Sequence, residues 1–243
     1  MRDFVERLLR RGEMRVIERE VDPRHELAAV VKRSQAESDL PLLFRRVRGS
    51  TLPVVSNLYG SRRRLCELIG APDGRFPQRW LELSRELKPG PHRPADAAPS
   101  PVDLRDGRLS DLPQIVYWER DAGPYFTSAV FLAKEPDTGV ANLSFHRAMY
   151  VSDAELRIRL GTTHDLTRYQ AKAEARGAAL PAAMLIGVAP EIFIAGAASL
   201  PYDVDELAAA AAIRGKPLAM RRCCASRKST RWCPRTRGTS SSH

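Results

Sequence analysis

Cysteine is scarce in this 243-residue chain: of four, Cys66 alone lies in the body, while Cys223, Cys224 and Cys233 fall near the end. A disulfide framework is therefore excluded for the body, and so low a thiol content suits a reducing cytoplasm. The three late cysteines and His243 contain no C-x-x-C pair, so they match no zinc module. Long apolar runs are missing too, since no segment reaches the roughly 18 residues of a membrane helix. The start, MRDFVERLLRRGEM, is charged throughout and has no apolar signal region. Phosphate loops of the GxxxxGK or GxGxxG type are absent, and there is no internal repeat. These absences leave a soluble, cytoplasmic protein as the expectation.

What is present in excess is positive charge, with 39 Lys+Arg against 29 Asp+Glu, a net charge of +10. An excess of this size first suggests a nucleic-acid or anionic-membrane partner. Its distribution argues otherwise. Residues 221–243 hold seven basic residues and no acidic one, which leaves 32 basic against 29 acidic residues, or +3, for the rest. The tail has no apolar periodicity and no strand alternation, so it is expected to be poorly ordered. A basic-tailed nucleic-acid-binding protein stays open as an alternative, resting on that tail alone.

The body reads as two units. Asp3 opens a helix with Phe4, Val5, Leu8 and Leu9 on one face, and Gly12 stops it. MRVIEREV is a predicted strand. Asp22-Pro23 starts a second helix, and LPLLFRRV and LPVVSNLY are short apolar strands. Ser61 caps SRRRLCELI, and FPQRWLELSREL is a further helix. The stretch KPGPHRPADAAPSP, residues 88–101, has five prolines in 14 residues and is the predicted linker. Beyond it QIVYW, FTSAVFLA, ANLSFHRAMYV and LRIRLG read as strands, with Asp137-Thr138-Gly139 as a hairpin turn. A helix over 165–176, the strand PAAMLIGV, a helix from Pro190 through Ile194 and an alanine-rich helix over 203–213 complete the pattern.

ANLSFHRAMYV is unusual for a strand. Asn142, Ser144 and His146 alternate onto one face, and Arg147 points to the other. A solvated face accounts for three of these residues. Alternatively, an arginine among apolar neighbours can hold a carboxylate by its planar fork. His164, after Gly161-Thr162-Thr163, is either a surface histidine or a neighbour of metal or phosphate at a helix start. Glu206 lies in a first helical turn, where acids are common because of the helix dipole. Thr127 by itself is a strand threonine.

Together these stretches resemble the UbiD family of prenylated-FMN-dependent (de)carboxylases. The resemblance rests on DAGPYFTSAVFLAKEPDTGVANLSFHRAMYV, on RDFVERLLRRGEMRVIEREVDP, on LPVVSNLYGS, on LPAAMLIGVAPEIFIAGAASLPYDVDE and on RGKPL, in order from about residue 2 to 218. It implies an α+β fold: a mixed α/β domain over 1–105 that ends in the linker, then an FMN-binding split β-barrel over 106–220, with the family's C-terminal domain absent. By this resemblance the N-x-S-x-x-R strand gives Asn142 and Ser144 to the cofactor and Arg147 to both cofactor and substrate, Arg147 being the catalytic residue. Thr127, Phe145, Thr163 and His164 also fall on cofactor positions, Thr163 replacing a frequent glutamine. The metal set is Asn142, His164 and Glu206, for Mn²⁺ or Mg²⁺, with K⁺ as a further ion.

The implied reaction removes CO₂ from an aromatic or α,β-unsaturated acid, with the modified flavin as electron sink. The implied partners are that acid, a flavin prenyltransferase as cofactor supplier, and either a second copy or a separate chain carrying the missing half. Relatives are roughly twice as long, and their proton-donating glutamates lie in the second half. This chain is therefore expected to be catalytically incomplete, with one apolar side exposed and prone to association. A non-catalytic flavin-binding subunit is the neighbouring alternative. A reading-frame shift near residue 220 would account for the abrupt loss of acidic residues, and it requires the adjacent DNA to encode the missing half in another frame.

Overall fold

A computed structural model describes residues 1–92 and 107–218 of the chain. The predicted tail and most of the linker lie outside the described residues.

The N-terminal half begins with α1 (Arg2–Arg10), which buries Phe4 and Leu8, one helical turn apart. Asp3 lies in its first turn rather than at its cap, which falls on Met1. Strands β1 (Arg15–Ile17), β2 (Leu42–Phe44) and β3 (Val54–Ser56) form a sheet in that order, β1/β2 parallel and β2/β3 antiparallel. The crossover between the parallel pair is α2 (Glu26–Glu37), as a parallel connection requires. Helix α3 (Arg62–Leu68) is capped by Ser61, whose side chain accepts from the Arg64 amide. Helix α4 (Phe76–Arg85) follows, with a proline in its first turn.

The second half is richer in strands. Strands β4 (Tyr125–Phe126), β7 (Ala148–Ser152) and β8 (Glu155–Ile158) make one antiparallel sheet, β4-β7-β8. Strands β5 (Val130–Lys134), β6 (Ala141–Phe145) and β9 (Ala182–Leu185) make another, β6-β5-β9. Both are small and neither closes on itself. The helices are α5 (Asp165–Ala175), α6 (Pro190–Gly196) and α7 (Glu206–Arg214).

Three predicted strands turn out differently. QIVYW forms only an isolated bridge, Val116 to Arg24, because this segment is tied to the α2 entrance instead of a sheet. FTSAVFLA divides into β4 and β5, in different sheets. ANLSFHRAMYV breaks at His146-Arg147, where the chain passes from β6 to β7. The alternation expected through Arg147 therefore stops at the break.

The β6-β5-β9 sheet is covered on both faces. Ala129, Phe131 and Ala133 pack with Leu166, Tyr169 and Ala173 of α5. Val130, Ala141 and Leu143 pack with Ala195 of α6 and Leu207, Ala209 and Ala210 of α7. Each buried leucine or phenylalanine contributes about 1.5–3 kcal/mol relative to exposure. Helix α6 approaches β6 closely: a Cβ at Gly196 would lie 3.3 Å from Leu143 Cβ. The β5–β6 hairpin turns through Glu135, a fully inaccessible carboxylate. It accepts from the Asp137 and Thr138 amides at 2.7 and 2.6 Å and from Lys172 Nζ at 2.5 Å. Burial pushes its pKa up, but the Lys172 and Thr138 donors outweigh this and hold it below the ordinary value.

The halves meet through Trp80 of α4, packed on the α6/α7 core, and through Tyr59, stacked on Phe193 of α6. No helix among the described residues is long and apolar enough to cross a membrane.

Candidate functional site

The centre of the site is built where α7 begins beneath β6. Asp205 caps α7, accepting from Leu207 N at 2.8 Å, and its other oxygen accepts from Ala141 N and His92 N, both at 2.9 Å. One carboxylate thus fixes the helix start against the strand. The next residue, Glu206, is directed onto that strand. Glu206 Oε1 accepts from Asn142 Nδ2 at 3.0 Å, and Oε2 accepts from Leu143 N at 3.3 Å. Both Asn142 and Glu206 are buried, at 6% and 7% exposure. Burial pushes the Glu206 pKa up to about 7, against the smaller lowering effect of these donors.

Asn142 Oδ1 is buried and has no hydrogen-bond partner. An orphaned amide oxygen costs about 1–3 kcal/mol unless something satisfies it. Together with a buried carboxylate it makes an oxygen-donor pair suited to a hard divalent cation. Among the described residues no three His, Cys, Asp or Glu side chains group as a metal site. A metal here would need Asn142 as one of its ligands, and the donors present fit that requirement.

The remaining predicted residues fall into separate contacts. Ser144 Oγ lies 3.0 Å from His146 Nε2. His146 is buried, 4% exposed, with its pKa lowered by desolvation and then by His164. His164 is exposed at the N-cap of α5, its ring centroid 5.4 Å from that of His146. Its Nδ1 accepts from Gly161 N at 3.4 Å. His164 is thus placed beside the Ser144–His146 pair, while Asn142 and Glu206 form a pair of their own. Thr163 is exposed in the turn before α5. Arg147 is largely exposed, its guanidinium 3.4 Å from Asp121 Oδ1 and 4.5 Å from the Tyr125 ring centroid. Thr127 Oγ1 lies 2.8 Å from the Tyr117 hydroxyl. Phe145 meets Phe193 edge-on, centroids 4.7 Å apart.

A cleft of about 1800 Å³ opens between the N-terminal elements and the segments around 112–129 and 186–193. Thr127 lines it, whereas Asn142, in β6, and Glu206, at the start of α7, lie outside its lining. Trp118, Ile186 and Leu52, three of the five exposed large hydrophobic residues among those described, border it. Among the described residues, both non-glycine residues with positive φ, His25 at 67° and Asn57 at 58°, line the same cleft. Backbone strain of this kind concentrates at functional surfaces. His25 lies outside every segment quoted for the resemblance, while Tyr59 and Asp205 fall within LPVVSNLYGS and LPAAMLIGVAPEIFIAGAASLPYDVDE without being singled out there. Of these only Asp205 has a local signal, as an acid at a helix start.

Two family models match the chain. The 3-octaprenyl-4-hydroxybenzoate carboxy-lyase N-terminal domain covers residues 5–84, and the corresponding Rift-related domain covers 94–229. An uncharacterized protein in the cooM 5' region of Rhodospirillum rubrum is 35% identical over 221 residues, 88% of this chain and 48% of its own. Anhydromevalonate phosphate decarboxylase of Methanothermobacter thermautotrophicus is 32% identical over 92% of this chain and 51% of its own. Among solved structures, an evolved dimeric form of the UbiD-class enzyme HmfF from Pelotomaculum thermopropionicum, in complex with prFMN, has a TM-score of 0.77. Its identity is 32%, over 90% of this chain and 51% of that one. The chain spans about half the length of the curated relatives it matches.

Proposed function

The chain belongs to the UbiD family, and on that premise we propose that it is the flavin-binding half of a non-oxidative (de)carboxylase of aromatic or α,β-unsaturated acids. The observation that carries this reading is the buried Asn142–Glu206 pair with its unpartnered Asn142 Oδ1, built by the strand and helix that the family resemblance singles out. The proposed organisation is a mixed domain over 1–105 and a cofactor domain over 106–220. The proposed cofactor is prenylated FMN, which when bound supplies an electron sink for the carbon that loses CO₂.

The protein's own part is binding and orientation. Asn142, Glu206 and His164 would hold Mn²⁺ or Mg²⁺, with K⁺ as a further ion. His164 is exposed beside His146, its ring centroid 5.4 Å from that of His146. Thr127, Ser144, Phe145 and Thr163 would line the flavin. Arg147 would exchange its contact with Asp121 for the substrate carboxylate, a stronger bidentate partner. Its stacking on Tyr125 keeps the guanidinium plane oriented for that exchange.

The chain spans about half of its relatives' length, and the proposed place of the proton-donating carboxylates is the part of the relatives that it does not match, with a separate chain carrying that part, or a homo-oligomer, as proposed partners. The proposed supplier of cofactor is a flavin prenyltransferase. Co-expression with that enzyme tests the reading. The purified chain should carry flavin absorbance and release no CO₂ from aromatic acids. A folded chain without bound flavin would overturn the cofactor assignment. CO₂ release by the chain alone would overturn its incompleteness. Bound flavin with no CO₂ release even after the other half is added would favour a non-catalytic flavin-binding subunit.

A further inference from the structure

Phe145 lies between Ser144 and His146 at the end of β6. On the α6 side it packs with the cluster of Leu143 and Ala195. Its ring meets Phe193 edge-on, centroids 4.7 Å apart at 64°. The Phe193 ring in turn lies nearly parallel to Tyr59, 4.0 Å away at 15°. Three rings thus run from the loop after β3, in the N-terminal half, through α6 to the strand that carries Asn142 and Ser144.

The Tyr59 end is fixed by its own loop. Asn57 adopts φ 58°, and its Nδ2 donates to Leu40 O at 3.2 Å. Gly60 N donates to Asn57 O at 3.3 Å, and a Cβ at Gly60 would fall 2.1 Å from Asn57 Oδ1. Ser61 then caps α3. The loop is therefore locked on both sides of Tyr59. The hydroxyl of Tyr59 adds nothing to the stack. It is buried without a partner, and burial raises its pKa well above the ordinary value. A phenylalanine would avoid that desolvation cost. The ring is what the stack uses.

We propose that Tyr59 is a positioning residue of the flavin site, its ring holding Phe193 and, through it, Phe145 in the orientation the cofactor strand presents. This rests on the reading that β6 binds flavin. Stacked and edge-to-face rings hold one another in preferred orientations beyond what area burial alone provides. Tyr59 and Phe193 also line the cleft, as Thr127 does.

FMN titration of the full chain, followed by quenching of flavin fluorescence, tests this. Tyr59→Leu should weaken FMN binding three- to tenfold, and at saturation it should alter the visible circular dichroism of the bound flavin. Tyr59→Phe should restore both, because it keeps the ring. Phe193→Leu, which removes the middle ring, should reproduce the loss and serves if Tyr59→Leu does not fold. If the unaltered chain binds FMN and the leucine variants bind it equally, with the same dichroism, the positioning role is wrong and the flavin reading stands. If the unaltered, folded chain binds no FMN, the flavin reading falls and the positioning role falls with it.

Discussion

Asn142 and Glu206, 64 residues apart in sequence, share a 3.0 Å hydrogen bond inside the protein, and the amide oxygen of Asn142 is left with nothing to bind. Strand and helix are brought to this distance by Asp205, which caps α7 and grips the Ala141 amide with the same carboxylate. Two predictions test this junction, and a third tests the cleft.

The first concerns pH. Glu206 has a pKa of about 7 in the fold against an ordinary 4.5, so the neutral carboxyl is the form the fold favours. Its contribution to stability is complete below pH 4.5 and is lost as the pH rises through about 7. Urea unfolding of the metal-free chain should therefore show a stability component on the order of 2 kcal/mol that falls between pH 5 and 8. Glu206→Gln should remove that slope, and millimolar Mn²⁺ should reduce it in the unaltered chain. An identical slope in the glutamine variant would place the titrating group elsewhere.

The second concerns Asp205. Alanine there removes the helix cap and leaves the Ala141 and His92 amides without their acceptor. The cost should be about 3 kcal/mol, read as a lower urea midpoint with unchanged slope. Asparagine keeps one acceptor oxygen but turns its NH2 toward the amides that the other oxygen served, so it should recover only part of the loss. Full recovery by asparagine would mean that one acceptor oxygen is enough to hold the junction.

Parts of this arrangement are legible in the sequence, and parts are not. The existence of α7 is readable from its alanine-rich run, and so is its end at Gly215 in the left-handed conformation, but its start is not: the run of acids suggests residue 203, whereas Asp205 caps a helix that begins at Glu206. The polar strand is readable as a motif, but its break at His146-Arg147 is not. Whether a strand continues depends on which sheet receives it, and β6 and β7 go to different sheets. QIVYW has strand composition, yet its backbone is claimed by Pro23 and His25 at the α2 entrance. Such long-range competition leaves no local trace. The Tyr59–Phe193 stack is equally silent, since it joins residues 134 positions apart.

The third prediction concerns the cleft. Trp118 is 59% exposed and Ile186 44% exposed on its border. The purified chain should self-associate, and Trp118→Ser with Ile186→Ser should lower the apparent mass in light scattering without lowering the melting temperature. Leu81→Ser, at an equally exposed leucine outside the cleft, is the control and should change nothing. Loss of association in the control alone would move the sticky surface to α4.

The account stands most directly on flavin binding by the Asn142 strand. The decisive measurement is an FMN titration of the purified chain with Mn²⁺, beside Asn142→Leu, a near-isosteric change that removes the amide oxygen. The account predicts saturable 1:1 binding by the unaltered chain, weakened at least tenfold in the leucine variant, with both proteins folded by circular dichroism. Equal FMN affinity in the two, or no binding by a folded chain, would contradict it.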